Sequence, residues 1–104
     1  MALMIYTDVL QLTRDMRAVL GSIGKHDADL ARQARRALTS IALNTAEGNY
    51  QRAGNQRLRF QTAMGSALEV RAVLDIAEAL GMVVVSAEIP EMLRNVVGVL
   101  VKCT

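Results

Sequence analysis

The sequence predicts an all-α protein: an antiparallel up-down-up-down four-helix bundle that forms one domain over residues 1–104. Apolar residues recur every three to four positions in four segments, approximately 3–21, 26–47, 55–80 and 86–102. Hydrophobic residues make up 52% of the chain, yet only two Tyr and one Phe are aromatic. Small and aliphatic side chains must therefore fill the core, as is typical of helical bundles.

The first two helices are predicted from single apolar faces. Helix one carries Tyr6, Val9, Met16 and Ile23 on one side, and the glycines at positions 21 and 24 are expected to end it. Helix two starts at residues 26–27, with acidic residues in its first turn, and ends before Gly48. Gly48 is expected at the position after the helix, where a left-handed backbone favours glycine.

Helix three is long and apolar on more than one side, so we expect it to pack against several neighbours, including another chain. Gly65 lies inside it, and a close helix approach is the expected reason. Gly81 follows its last periodic residue. Helix four is expected to begin with Ser86 as its cap and Pro90 in its first turn. The run VVGVLV, residues 96–101, is predicted as helix because a single strand would have no partner.

The charge distribution is uneven although the net charge is only +2. Residues 25–71 contain eight basic and four acidic residues, and ten of the twelve basic residues of the chain are arginine. The longest uncharged run, residues 37–46, covers about half of a membrane span. One cysteine, Cys103, cannot form a disulfide within the chain. These features predict a cytoplasmic protein that does not enter a membrane.

Six arginines are candidates for binding nucleic acid. Arg32, Arg35 and Arg36 lie on the side of helix two opposite its apolar face, and Leu43 lies on the same side one turn further along. Arg52, Arg57 and Arg59 follow on the connection and at the start of helix three. Three interpretations stay open for helix two: a solvated face, a phosphate-binding surface, or a contact between subunits. Leu43 favours partial burial against another chain.

A polar corner is predicted at the end of helix two, where Ser40, Asn44 and Glu47 share one flank. A carboxylate faces the negative end of the helix dipole there, so a cation is expected opposite Glu47. No histidine, cysteine or second carboxylate lies near in sequence, and no Glu-x-x-His pair exists. The corner is therefore predicted to be structural, and the sequence predicts no enzyme activity, no metal and no cofactor.

Two sequence blocks carry a family resemblance. "SIALNTAEG", residues 40–48, and the pattern Ala63-x-Gly65-Ser66-x-x-Glu69 resemble the signatures of helices two and three in the "four helix bundle protein" family. This family was first noted for proteins encoded by intervening sequences in large-subunit ribosomal RNA genes. Arg71 stands where the family often has an acid, which makes it the first candidate for the cation opposite Glu47.

The resemblance implies an antiparallel bundle that assembles as a ring-like homopentamer. The family includes accessory variability determinant proteins of diversity-generating retroelements, which implies RNA or DNA and a reverse transcriptase as partners. Two hypotheses follow: an oligomeric nucleic-acid-binding accessory protein, or an oligomeric scaffold whose arginines pair with acids such as Glu69 across interfaces. Whether the arginines are free or paired distinguishes them.

Overall fold

The computed structural model describes residues 2–104, apart from the side chains of Ala2, Leu3 and Ala53. It contains four helices: α1 (Ala2–His26), α2 (Ala28–Gly48), α3 (Ala53–Ala79) and α4 (Glu88–Cys103). Each helix packs against the next, and α4 packs against α1. Residues 2–104 contain no strand, and residues 96–101 are helical. The prediction of an all-α protein with four helices is confirmed.

The core is aliphatic and rich in alanine, as the composition predicts. α1 and α4 contribute mainly large side chains, whereas α2 and α3 contribute several alanines that let the two helices approach closely. Thr45 is the one polar residue among the described buried residues, and its hydroxyl donates to the carbonyl of Ile41 at 2.9 Å. This bond satisfies the hydroxyl within its own helix, so the core contains no unpaired threonine.

The first helix is longer than predicted because Gly21 and Gly24 do not end it. Each glycine costs about 1 kcal/mol of helix stability relative to alanine. Burial of Leu20 and Ile23 in the same segment offsets this cost. α1 continues to His26, and Asp27 alone separates it from α2 as the N-cap, where its carboxylate accepts the N–H of Leu30 at 3.0 Å.

Gly48 does not have the predicted role. It is the last residue of α2, and the following Asn49 has an ordinary right-handed backbone. The reason for glycine here is space: a Cβ atom at position 48 would lie 2.7 Å from Cε1 of Phe60 on α3. Phe60 is only 1% exposed, so its ring cannot move into solvent. The contact between Gly48 and Phe60 therefore requires glycine at this position.

The connection from α3 to α4 follows the prediction in part. Gly81 has a left-handed φ of 72°, and its N–H donates to the carbonyl of Glu78 at 3.0 Å. Ser22 of α1 donates its hydroxyl to the carbonyl of Met82 at 3.0 Å, which attaches the connection to the bundle. Ser86 is not the cap of α4: the helix starts after Ala87, with no side-chain capping bond.

Two further features concern the surface of the bundle. A Cβ atom added at Gly65 would meet no atom of the described residues within 4 Å beyond its own helix backbone, so a close approach of another helix of the same chain does not explain this glycine. None of the four helices, over the residues described, is long and apolar enough to cross a membrane.

Gly48→Ala tests the packing at the end of α2. The added methyl group forces the buried Phe60 ring to move, and we expect a loss of about 1 to 3 kcal/mol in the free energy of unfolding. Gly21→Ala is the matched control because nothing lies within 4 Å of its Cβ position. We expect that variant to be up to about 1 kcal/mol more stable than the parent protein. Urea unfolding at one protein concentration measures both, and equal stability of Gly48→Ala and the parent would contradict the account.

Candidate functional site

A row of polar side chains crosses from α2 to α3 at the exposed edge of their interface. Ser66 donates its hydroxyl to Oγ of Ser40 at 2.7 Å, and Nδ2 of Asn44 donates to the Ser40 carbonyl at 2.9 Å. Nη1 of Arg59 lies 3.4 Å from Oδ1 of Asn44 and 3.0 Å from Oε2 of Glu47. These five residues form what we call the polar seam, which brings together the predicted corner residues of α2 with two residues of α3.

The arginine opposite Glu47 within the chain is Arg59 and not Arg71. α2 and α3 are antiparallel, and their register places residue 59 near residues 44 and 47. Arg71 lies twelve residues further along α3, about 18 Å away along the helix axis. It pairs instead with Asp75, one turn later, at a distance of 3.7 Å between Nε and Oδ2.

The pair between Glu47 and Arg59 is a surface contact. The side chains are 51% and 46% exposed, so water and salt screen their attraction. Such a pair contributes at most about 1 kcal/mol to stability. The seam therefore adds several weak bonds between the end of α2 and α3, and its one carboxylate, Glu47, pairs with a guanidinium.

The six candidate arginines are all exposed, but they form two separate groups. Arg32, Arg35 and Arg36 lie in the first half of α2, whereas Arg52, Arg57 and Arg59 lie beyond its end. Residues 36 and 48 alone are about 18 Å apart along α2. One phosphate group therefore cannot contact both groups, although a longer polyanion can.

Two of these arginines have carboxylate partners. Arg32 pairs with Asp29, one turn earlier on α2, and Arg59 pairs with Glu47. The other four, Arg35, Arg36, Arg52 and Arg57, make no ion pair with any residue from 2 to 104. Most of the candidate positive charge is therefore available to an external anion.

A groove between α1 and α2 adds an arginine that the sequence reasoning missed. Its volume is about 300 Å³, and it is lined by Arg17 and Arg35, by two threonines and by two leucines: Thr13, Arg17, Leu20, Arg35, Leu38 and Thr39. The periodicity of α1 places Arg17 on the flank next to Thr13 and Leu20, but the partner Arg35 comes from another helix. No sequence motif connects the two.

The outer face of α3 carries most of its large apolar side chains in one sector, which also contains the exposed Gln61, Thr62 and Glu69. Four large side chains are between 46% and 66% exposed there and fall within about 120° around the helix axis: Leu58, Leu68, Ile76 and the C-cap residue Leu80. Gly65 and Ala72 lie in the same sector. Leu43, 59% exposed, lies on the outer side of α2 with Arg32 and Arg36. The four large side chains and the two small residues form what we call the outer face of α3.

Other candidate chemistry is sparse in the described part of the chain. No cluster of three or more His, Cys, Asp or Glu side chains that can hold a metal ion occurs among residues 2–104. His26 is exposed in the last turn of α1, away from the polar seam. Asn49 has a buried Oδ1 without a hydrogen-bond partner, and nothing in the structure explains it.

Comparison with known proteins identifies the family. No curated protein and no solved structure matches the chain significantly. The model of one family, described as 23S rRNA-intervening sequence protein, matches residues 1–101. This match covers all four helices almost completely, and it confirms the resemblance carried by the two sequence blocks. The chain therefore belongs to the 23S rRNA-intervening sequence protein family.

Proposed function

We propose that the protein is a non-enzymatic homo-oligomer, a pentameric ring, that binds nucleic acid through its exposed arginines and works as an accessory protein in the cytoplasm. The observation that supports this most is that Arg35, Arg36, Arg52 and Arg57 have no carboxylate partner among residues 2–104. A reverse transcriptase is the protein partner that the family resemblance suggests.

The predominance of arginine over lysine among the basic residues favours phosphate as the ligand. A guanidinium is always charged, and its planar donors match two oxygens of a phosphate group at once. Contacts of this kind recognise the backbone and not the bases, so binding should depend little on sequence. The net charge of +2 per chain becomes about +10 in a pentamer, and a ring repeats the basic surface in each subunit.

The outer face of α3 supports self-association. An exposed surface of several large apolar side chains on one helix is unfavourable in water and marks an interaction site. Leu68 also lines a groove between α3 and α4, with a volume of about 290 Å³ and Leu93 and Val97 in its walls. The Cβ position of Gly65 has no described atom of a neighbouring helix within 4 Å, so this residue allows a helix of another subunit to approach this face closely.

The alternative is an oligomeric scaffold that has no nucleic-acid role. Glu69 is exposed and forms no ion pair with a described residue, so it is free to pair with an arginine of a neighbouring subunit. In that case the candidate arginines are neutralised in the assembly. The two functions therefore predict opposite results in a binding experiment with nucleic acid.

Self-association is tested by light scattering coupled to gel filtration. We expect the parent protein to have the mass of a pentamer at micromolar concentration. Leu68→Asp with Ile76→Asp should lower the mass, because it places two charges on the outer face of α3. Val84→Asp is the control, since Val84 is 93% exposed on the connection between α3 and α4. A monomer mass for the parent protein would contradict the proposal.

Nucleic-acid binding is tested with fluorescently labelled single-stranded RNA, duplex RNA and DNA. We expect binding that varies little with sequence and weakens at least tenfold between about 50 and 200 mM salt. The reason is that arginines that contact phosphates release the counterions condensed on the nucleic acid, and added salt opposes this release. The chain has no Trp and two Tyr, so the ratio of absorbance at 260 and 280 nm of freshly purified protein reveals even traces of bound nucleic acid. No binding to any of the three probes at about 50 mM salt would refute this function.

A further inference from the structure

We propose that the groove between α1 and α2 holds a backbone phosphate of the nucleic acid, clamped between Arg17 and Arg35. This inference rests on the proposed nucleic-acid binding and assigns it to one place on the bundle. It also adds Arg17, on α1, to the binding residues.

The lining of the groove suits an anion. The hydroxyl of Thr13 donates to the carbonyl of Val9 at 2.8 Å, and the hydroxyl of Thr39 donates to the carbonyl of Arg35 at 2.9 Å. Both hydroxyl protons are therefore used within their own helices. The two guanidiniums are the remaining side-chain donors of the groove, and its floor is formed by the buried Leu20 and Leu38. A small anion between the arginines would receive charge-assisted bonds from both sides.

No carboxylate of residues 2–104 pairs with these two arginines, Arg17 and Arg35. The acidic residues of α1, Asp8 and Asp15, lie about 160 to 180° around the helix from Arg17. Asp29, an acidic residue at the start of α2, is held by Arg32. The groove therefore carries an uncompensated positive charge.

More basic residues extend the groove along the surface of both helices. Arg14 and Lys25 are exposed on α1, and Arg36 is exposed on α2. Arg32 is also exposed, but it pairs with Asp29. Residues 14 to 25 alone span about 16 Å along the axis of α1. A row of cations of this length matches a ligand with several negative charges, and it favours a polyanion over a single small anion.

The same surface lacks the apolar anchors that a protein partner needs. Interfaces between proteins depend on a few large buried side chains. Among the described residues, the large exposed hydrophobic side chains of α1 and α2 are only Met4 and Leu43, whereas the outer face of α3 has four. Charge without apolar anchors favours nucleic acid over an acidic protein segment on α1 and α2.

The second arginine group suits a phosphate less well. The hollow beside the start of α3, about 390 Å³ in volume, contains Arg59 as its one cation, and Glu47 neutralises that charge. Arg52 and Arg57 are exposed near it but do not line it. We therefore expect these two arginines to contribute long-range attraction, while Arg17 and Arg35 contact the backbone.

The test compares two double variants with the same change of charge. Binding of labelled single-stranded RNA is measured by fluorescence anisotropy at about 50 mM salt. Arg17→Glu with Arg35→Glu should weaken binding at least tenfold, and Arg52→Glu with Arg57→Glu about threefold or less. Arg17→Gln with Arg35→Gln removes charge without reversing it. The slope of log affinity against log salt is negative, and we expect this variant to reduce its magnitude by about 1.5. Circular dichroism and the oligomer mass verify that each variant folds and assembles.

The outcomes separate the two proposals. If the parent protein binds RNA and the two double variants weaken it equally, or the second weakens it more, the groove assignment is wrong and the proposed function stands. If the parent protein binds no nucleic acid, the proposed function fails and the groove assignment fails with it. If a poly-glutamate peptide of equal charge binds the groove more tightly than RNA, the site is for acidic protein segments and the assignment to phosphate is overturned.

Discussion

The close contact between Gly48 and the Phe60 ring constrains how α2 and α3 can lie against each other. The ring fills the space that a side chain at position 48 would occupy, and it is almost completely buried. Because the two helices are antiparallel, this contact brings Arg59, next to Phe60 in sequence, beside Glu47, next to Gly48. The same register places Ser66 opposite Ser40. The polar seam is thus a consequence of core packing and contributes little free energy of its own.

Once α2 and α3 are packed in this way, the remaining surfaces of the bundle differ in chemistry. α1 and α2 expose arginines and one lysine with few large apolar side chains, whereas α3 and the adjacent Leu80 expose four large apolar side chains in one sector, with the arginines of α3 outside it. Charged and apolar surfaces on different sides of the bundle suit different partners, because phosphate contacts need free cations and helix contacts need apolar area. The proposed homo-oligomer with a separate nucleic-acid surface would use both.

Periodicity predicted the helices and their exposed sides well, because the three-to-four spacing of apolar residues directly indicates the buried face of a helix. It misplaced the end of α1, since the cost of Gly21 and Gly24 is small compared with burial of Leu20 and Ile23. It also placed Gly48 after the end of α2 with a left-handed backbone. The actual reason for glycine could not be predicted, because the Phe60 ring that excludes a side chain comes from another helix.

Contacts between helices were harder to predict for the same reason. The arginine that faces Glu47 depends on the register of α2 against α3, and the family pattern suggested Arg71 instead of Arg59. The groove that contains Arg17 and Arg35 exists only when α1 and α2 pack together, where a Cβ at Gly24 would lie 3.7 Å from Cβ of Ala31. Neither register nor packing distance can be obtained from one sequence.

The central claim is that the two chemically distinct surfaces have separate partners. Hydroxyl-radical footprinting of the protein, with and without single-stranded RNA, tests it most directly. We predict that Leu58, Leu68 and Ile76 are protected in both states, and that RNA adds protection only along α1 and the first half of α2, including the exposed Arg17 and Arg35 of the groove. Reactivity of the outer face of α3 equal to that of the exposed Val84, or new protection by RNA on that face, would contradict the account.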